Sequence, residues 1–255
     1  MWKRRRSEQQ FRCLEGILRY HRYGSGPPVL LVHGLSGSAH WWRRNVKALA
    51  KHFTVYVIEL KGYGTNRAWK PLRLKAAAQC LSELIASMPG GRAHIVGHSM
   101  GGQISIHLAA EHPHCVDRLV LAGASGLVRS DMLRMALKLP LAARRSPISF
   151  MPVLARDALR AGPVNLLLST IEILRDDTTE ALAKIIAPTL LVWGEHDVLV
   201  PPAVGTATRE LLQGSELVVL KGAGHNVMWD RADQFNRVVL DFLMKDERWK
   251  MEDGR

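Results

Sequence analysis

Short apolar runs rich in β-branched residues, separated by longer stretches with apolar residues three and four apart, constrain this chain more than any other feature. Pro28 to Val32, Phe53 to Ile58, Ala93 to Val96 and Arg118 to Ala122 are such runs. Each is bounded by Gly, Pro or charged residues, as buried parallel strands tend to be. Trp41 to His52, Pro71 to Met88 and Ser99 to His112 carry the helical spacing, and Pro71 suits a first helical turn. The rhythm resumes with Pro188 to Trp193 and Glu216 to Leu220, a helix between them, and a last helix over Arg231 to Met244. Two weaker strands near Arg12 to Tyr20 read as an antiparallel edge. Alternation of this kind predicts an α/β fold, with a mostly parallel central sheet flanked by helices.

Between Leu127 and Ile186 the strand pattern stops. The residues there are Met-, Leu- and Arg-rich with helical spacing, broken by Pro140, Pro147, Pro152 and Pro163. The expected partition is a core of residues 1–126 and 187–255 carrying a helical cap over 127–186. No apolar run reaches the ~18–20 residues of a membrane span. The N-terminus, Met1 to Gln10, is basic but leads into polar residues where a signal peptide would place an apolar stretch. Cys13, Cys80 and Cys115 stand far apart with no C-x-x-C pair. A disulfide framework and a cysteine zinc site are therefore unexpected, and a reducing, cytoplasmic home is the expectation.

The net charge of +12 raises nucleic acid and anionic lipid as partners. Nucleic-acid binding would need a basic stripe interleaved with aromatics, and only the short Lys3 to Arg6 run is found, so no nucleic-acid partner is expected. Within Arg129 to Arg160 stand seven basic residues (Arg129, Arg134, Lys138, Arg144, Arg145, Arg156, Arg160) against Asp131 and Asp157, among many Met and Leu residues. The expectation is that these apolar side chains pack over a pocket while the arginines face water. A membrane surface is the less favoured partner.

The sharpest chemical signal is Gly97-His98-Ser99-Met100-Gly101, which follows an apolar strand and opens a helical segment. Small residues two before and two after the serine permit a strained strand-to-helix turn that lifts the hydroxyl beside a helix N-terminus. A serine hydroxyl is a poor nucleophile near neutral pH and requires a histidine base and an acid that orients it. Gly194-Glu195-His196-Asp197 follows the strand at Thr189 to Trp193, and Gly222-Ala223-Gly224-His225 follows the strand at Glu216 to Leu220. Asp197 is favoured as the acid, with Glu195 its competitor, and His225 as the base.

With those residues in the order Ser, Asp, His, each after a strand, the chain resembles the α/β-hydrolase fold superfamily over nearly its whole length. His33-Gly34-Leu35 after the first parallel strand resembles the superfamily's oxyanion loop. Glu59-Leu60-Lys61-Gly62-Tyr63-Gly64 resembles its next turn, where Asp usually stands in place of Glu59, and Pro201 after the acid also fits. The resemblance implies that the backbone amides of Leu35 and Met100 form the oxyanion hole, while His33, Gly34, Gly97, His98 and Gly101 shape the loops. No H-E-x-x-H is present, and Gly34, Gly37, Gly62 and Gly64 do not make a nucleotide-binding G-x-G-x-x-G. Neither a metal nor a cofactor is expected.

The function this implies is a serine hydrolase acting on a small-molecule carboxylic ester of short or medium acyl chain. A serine at position 99 excludes the haloalkane dehalogenases and epoxide hydrolases of the same fold, which require an aspartate there. One alternative is a C–C bond hydrolase of the meta-cleavage-product type. Those enzymes usually carry Gly-Pro-Gly after the oxyanion loop and Trp after the catalytic histidine, whereas Ser36-Gly37-Ser38 and Asn226 stand here. The other is a ligand receptor that keeps the triad and turns over slowly.

Overall fold

A computed structural model describes residues 8–68, 73–127, 138, 141, 142 and 144–245. Eight strands form one sheet: β1 (Glu8–Cys13), β2 (Gly16–Tyr23), β3 (Pro28–Val32), β4 (Thr54–Glu59), β5 (Ala93–His98), β6 (Val116–Ala122), β7 (Thr189–Gly194) and β8 (Glu216–Leu220). Their order across the sheet is β1-β2-β4-β3-β5-β6-β7-β8. β1 and β2 are antiparallel to their neighbours, and the remaining six strands run parallel. The two weak strands near Arg12 to Tyr20 are thus the antiparallel edge.

Strict alternation sends neighbouring residues of each parallel strand into different cores. Leu30 and Val32 of β3, Ile95 of β5, and Leu119 and Leu121 of β6 pack on one face. Val29 and Leu31, Val96, and Val120 and Ala122 pack on the other. Both faces being dry is why these strands read as unbroken apolar runs. On the first face lie α2 (Leu74–Ala86) and α3 (Met100–Glu111); on the second lie α1 (Val46–Leu49) and the last two helices, α8 (Val227–Asp230) and α9 (Ala232–Leu243). Between β6 and β7 the described helices are α4 (Met151–Ala161), α5 (Pro163–Arg175) and α6 (Thr179–Ala183), with Pro152 and Pro163 in the first turns of α4 and α5. A further helix, α7 (Pro202–Leu211), joins β7 to β8. Among the described residues no helix is long and apolar enough to cross a membrane.

Three expectations need correction. The helix expected over Trp41 to His52 is broken into a 3₁₀ turn at Ala39–Trp42 and the single-turn α1. The buried Asn45 side chain between them donates to Met228 O at 3.0 Å and Asn236 Oδ1 at 2.8 Å, so tertiary hydrogen bonds override the helical spacing. The second helix begins at Leu74, and Pro71 lies outside the described residues. Cys13 and Cys80, expected free, form a disulfide between β1 and α2 with their Cα atoms 5.4 Å apart. They are 67 residues apart in the chain, so only the docking of α2 beside the edge hairpin brings them together. The bonded pair removes the argument from free thiols for a reducing compartment; Cys115 is a buried free thiol.

Candidate active site

The sheet changes direction of growth at β3, which has β4 on one side and β5 on the other. Crevices at such switch points, beyond the carboxyl ends of the strands, are where open α/β sheets place ligands. The loops after β3 and β5 meet there. Ser99 joins β5 directly to α3 with φ +52° and ψ −117°, a conformation non-glycine residues rarely adopt. The turn is tight enough to demand its glycines: a Cβ on Gly97 would come within 2.4 Å of Ser105 Oγ, and one on Gly101 within 2.4 Å of Val32 O.

The structure brings Ser99, His225 and Asp197 into one line. His225 Nε2 lies 3.0 Å from Ser99 Oγ, and its Nδ1 lies 2.7 Å from Asp197 Oδ2. The other oxygen of the buried Asp197 accepts the amides of Leu199 and Val200 at 3.0 and 2.9 Å, so the carboxylate is held as an acceptor. With Nδ1–H donating to it, Nε2 is left to accept the serine proton. Burial works to lower the basicity of His225, but the charge and hydrogen bond of Asp197, with Asp230 adding, outweigh it and leave the imidazole above its ordinary value. Glu195, the competing acid, accepts Gly222 N at 2.8 Å and belongs to the loop instead.

His98 is fully buried, and burial first, then the neighbouring His225, push it well below the ordinary imidazole value. It is therefore neutral, and its Nε2–H donates to the carbonyl of His225 at 3.0 Å. The residue before Ser99 thus holds the backbone of His225.

His33 anchors the loop after β3. Its Nδ1–H donates to Gly34 O at 2.8 Å, and its Nε2 accepts Leu60 N at 3.2 Å. Its burial, the largest influence on it, favours the neutral ring those two bonds require. Gly37 N closes the turn onto Gly34 O at 3.0 Å, and Ser36 within it has φ +61°. A Cβ on Gly34 would stand 3.0 Å from Ser99 Cβ, so this turn lies directly against Ser99. Leu35 sits in that turn, and Met100 is the first residue of α3.

Sequence reasoning missed Asp230. Its Oδ2 accepts Gly224 N at 2.8 Å, bracing the His225 loop, and burial raises its carboxyl to about 6. An acid one turn beyond His225, at the end of α8, was the available signal. Also missed was the junction of α5 with α3, where Asp176 Oδ2 accepts Gln103 Nε2 and lies against His107 Nε2, both at 2.7 Å. Of the arginines expected to face water, Arg144, Arg145, Arg156 and Arg160 are exposed, while Phe150 and Val153 are buried. Arg129 and Arg134 lie outside the described residues. Among the described residues no cluster of His, Cys, Asp or Glu could hold a metal ion.

Comparison with known proteins shows the family. Residues 29–238 match the sequence profile of the alpha/beta hydrolase family. The chain is 31 % identical over 243 residues to a RutD protein of Yersinia enterocolitica named as a carbamate hydrolase, spanning 86 % of this chain and 87 % of that one. It is 28 % identical over 260 residues to a 2-hydroxy-6-oxononadienedioate/2-hydroxy-6-oxononatrienedioate hydrolase of Paraburkholderia xenovorans, spanning 89 % of this chain and 90 % of that one. Among solved structures it is similar to the enol-lactonase of Burkholderia xenovorans, with a TM-score of 0.80 at 25 % identity over 93 % of this chain and all of the other.

Proposed function

Because the chain belongs to the alpha/beta hydrolase family, we propose that it is a serine hydrolase cleaving small-molecule carboxylic esters through an acyl-enzyme. The observation that carries this is the line Ser99–His225–Asp197 with contacts of 3.0 and 2.7 Å. Ser99 attacks the carbonyl as His225 takes its proton. His225 then gives that proton to the leaving alkoxide, and Asp197 holds the ring and balances the imidazolium. The amides of Leu35 and Met100 take the developing oxyanion, each donor being worth roughly 3 kcal/mol of barrier. Water activated by the same histidine releases the acid.

The helices between β6 and β7 form the cap over this site, within the boundaries 127–186, and supply the walls that choose the acyl group. The similarity to an enol-lactonase supports ester chemistry, a lactone being a cyclic ester. A second reading, C–C bond hydrolysis, is favoured by the similarity to the oxononadienedioate hydrolase and needs the same three residues.

The test is labelling by a fluorophosphonate probe beside a panel of p-nitrophenyl esters of rising chain length, an aryl carbamate and a vinylogous C–C substrate. Ser99 should take the label and short or medium esters should turn over fastest. Ser99→Ala should lose the label and at least about 10⁴-fold in turnover while melting close to wild type. A label on another serine, or none, removes the nucleophile; preferential turnover of the C–C substrate or carbamate replaces the ester.

A further inference from the structure

Among the described residues, Asp157 is a buried carboxylate that nothing in the chemistry above requires. Asp157 lies on α4, a helix whose other charges are the exposed Arg156 and Arg160, and has no exposed surface. A carboxylate out of water is costly unless its lone pairs are satisfied. Here Oδ2 accepts the hydroxyl of Ser38 at 2.6 Å across 119 residues of sequence. Oδ1 has no hydrogen-bond partner, and the half-exposed Arg156 guanidinium is 3.6 Å away. This bond ties α4 to the end of the loop after β3.

That loop has two ends and a strained middle. His33 pins the first end to Gly34 O and Leu60 N. At the other end the Ser38 hydroxyl donates to Asp157 and accepts His40 N at 3.2 Å, capping the 3₁₀ turn that follows. Between them Ser36 is held at φ +61°. A non-glycine residue stays in that region only while its flanks over-determine it. The core supplies one flank; the other is held by α4 through Ser38 together with the buried Glu59 of β4, whose Oε1 accepts Ala39 N at 3.2 Å. Released at Ser38, Ser36 is free to return to negative φ, which rotates the neighbouring peptide and swings the Leu35 N–H off the oxyanion.

We propose that Asp157 is a positioning residue for the oxyanion hole, acting through Ser38, so that the aim of the Leu35 amide depends on the seating of α4. The inference rests on the serine-hydrolase reading. It makes the segment between β6 and β7 part of transition-state stabilisation as well as a wall of the pocket.

Removing both partners separates this role from stability, because the double variant Ser38→Ala/Asp157→Ala leaves no unpaired charge behind. It should melt near wild type, yet lose at least about tenfold in kcat on a p-nitrophenyl ester, part of the 10²–10³-fold carried by an oxyanion donor. Affinity for an aryl boronic acid, which mimics the tetrahedral intermediate, should fall by the same factor while KM stays nearly constant. Ser38→Ala alone should lose the same factor, and Asp157→Asn, which keeps an acceptor for the hydroxyl, should stay close to wild type. Wild-type kcat and boronate affinity in the double variant or in Ser38→Ala would overturn the proposal, as would a loss in Asp157→Asn equal to that of the double variant. If wild type itself takes up neither fluorophosphonate nor boronate, the hydrolase reading fails first, and that is seen before any variant is made.

Discussion

His225 works between two carboxylates of different character. Asp197 is held as an acceptor by two backbone amides, whereas burial raises Asp230 to about 6. Both charges raise the imidazole above its ordinary value of 6.5, against burial. If the neutral ring is the base, as proposed, activity should rise with pH with a midpoint above 6.5. Asp230→Asn keeps the bond to Gly224 N but removes a charge, so that midpoint should move down; a kcat/KM profile in which it stays fixed would deny Asp230 any electrostatic share. The sign for stability is the reverse of the usual acid. With its folded carboxyl raised from 3.8, Asp230 favours the fold below that value and loses this contribution as pH rises through about 6. The three residues of the line were legible from glycine-flanked loops after strands. Asp230 and Asp157 were not, because their meaning lies in which backbone amide or hydroxyl they face, and periodicity carries no such information.

At the level of elements, the inner parallel strands were legible because both of their faces are dry, and β-branched runs have few other uses; β8, at the edge with Val219 exposed, was legible from its apolar run alone. The break between Trp42 and Val46 was not, since what interrupts the helix is a side chain reaching α8 and α9. The same kind of long-range polar bond joins α5 to α3. Burial raises the carboxyl of Asp176, but the hydrogen bonds from His107 and Gln103, with the nearby charges of His107 and Lys75, more than offset this and leave it below its ordinary value. Its contribution is therefore present above the ordinary carboxylate value and lost as pH falls through the lower folded one. Asp176→Ala, by removing the 2.7 Å partner of the buried His107 and the shortest bond of Gln103, should cost about 1–3 kcal/mol near neutrality. Denaturant titrations should show the gap to wild type narrowing below about pH 3.9. An equal gap at all pH values would mean that the junction is held by packing alone.

For the whole molecule, the disulfide joins the antiparallel edge to a helix on one face of the sheet. It closes a long loop, so reduction should lower the unfolding free energy by about 2–4 kcal/mol. Cys13→Ser should reproduce that loss and make the protein insensitive to reductant. Turnover at a temperature where both forms are folded should be unchanged, because β5, β7 and β8, which carry the triad, lie on the far side of β3 from the bridge. A urea midpoint that ignores reductant would mean that the bridge adds no stability. The spacing of the cysteines gave no warning of it, since the contact exists only after α2 has docked.

The assembly of the site from separate strands also has a consequence in time. Ser99 and His225 are 126 residues apart in the chain, and the loop that bears Asp197 falls between them. At translation rates of about 5–20 residues per second, Ser99 exists for roughly 6–25 s before His225 has been synthesised. On the proposed serine-hydrolase reading a nascent chain therefore carries an inert alcohol, and hydrolysis would switch on only when the last parallel strand is laid against the sheet.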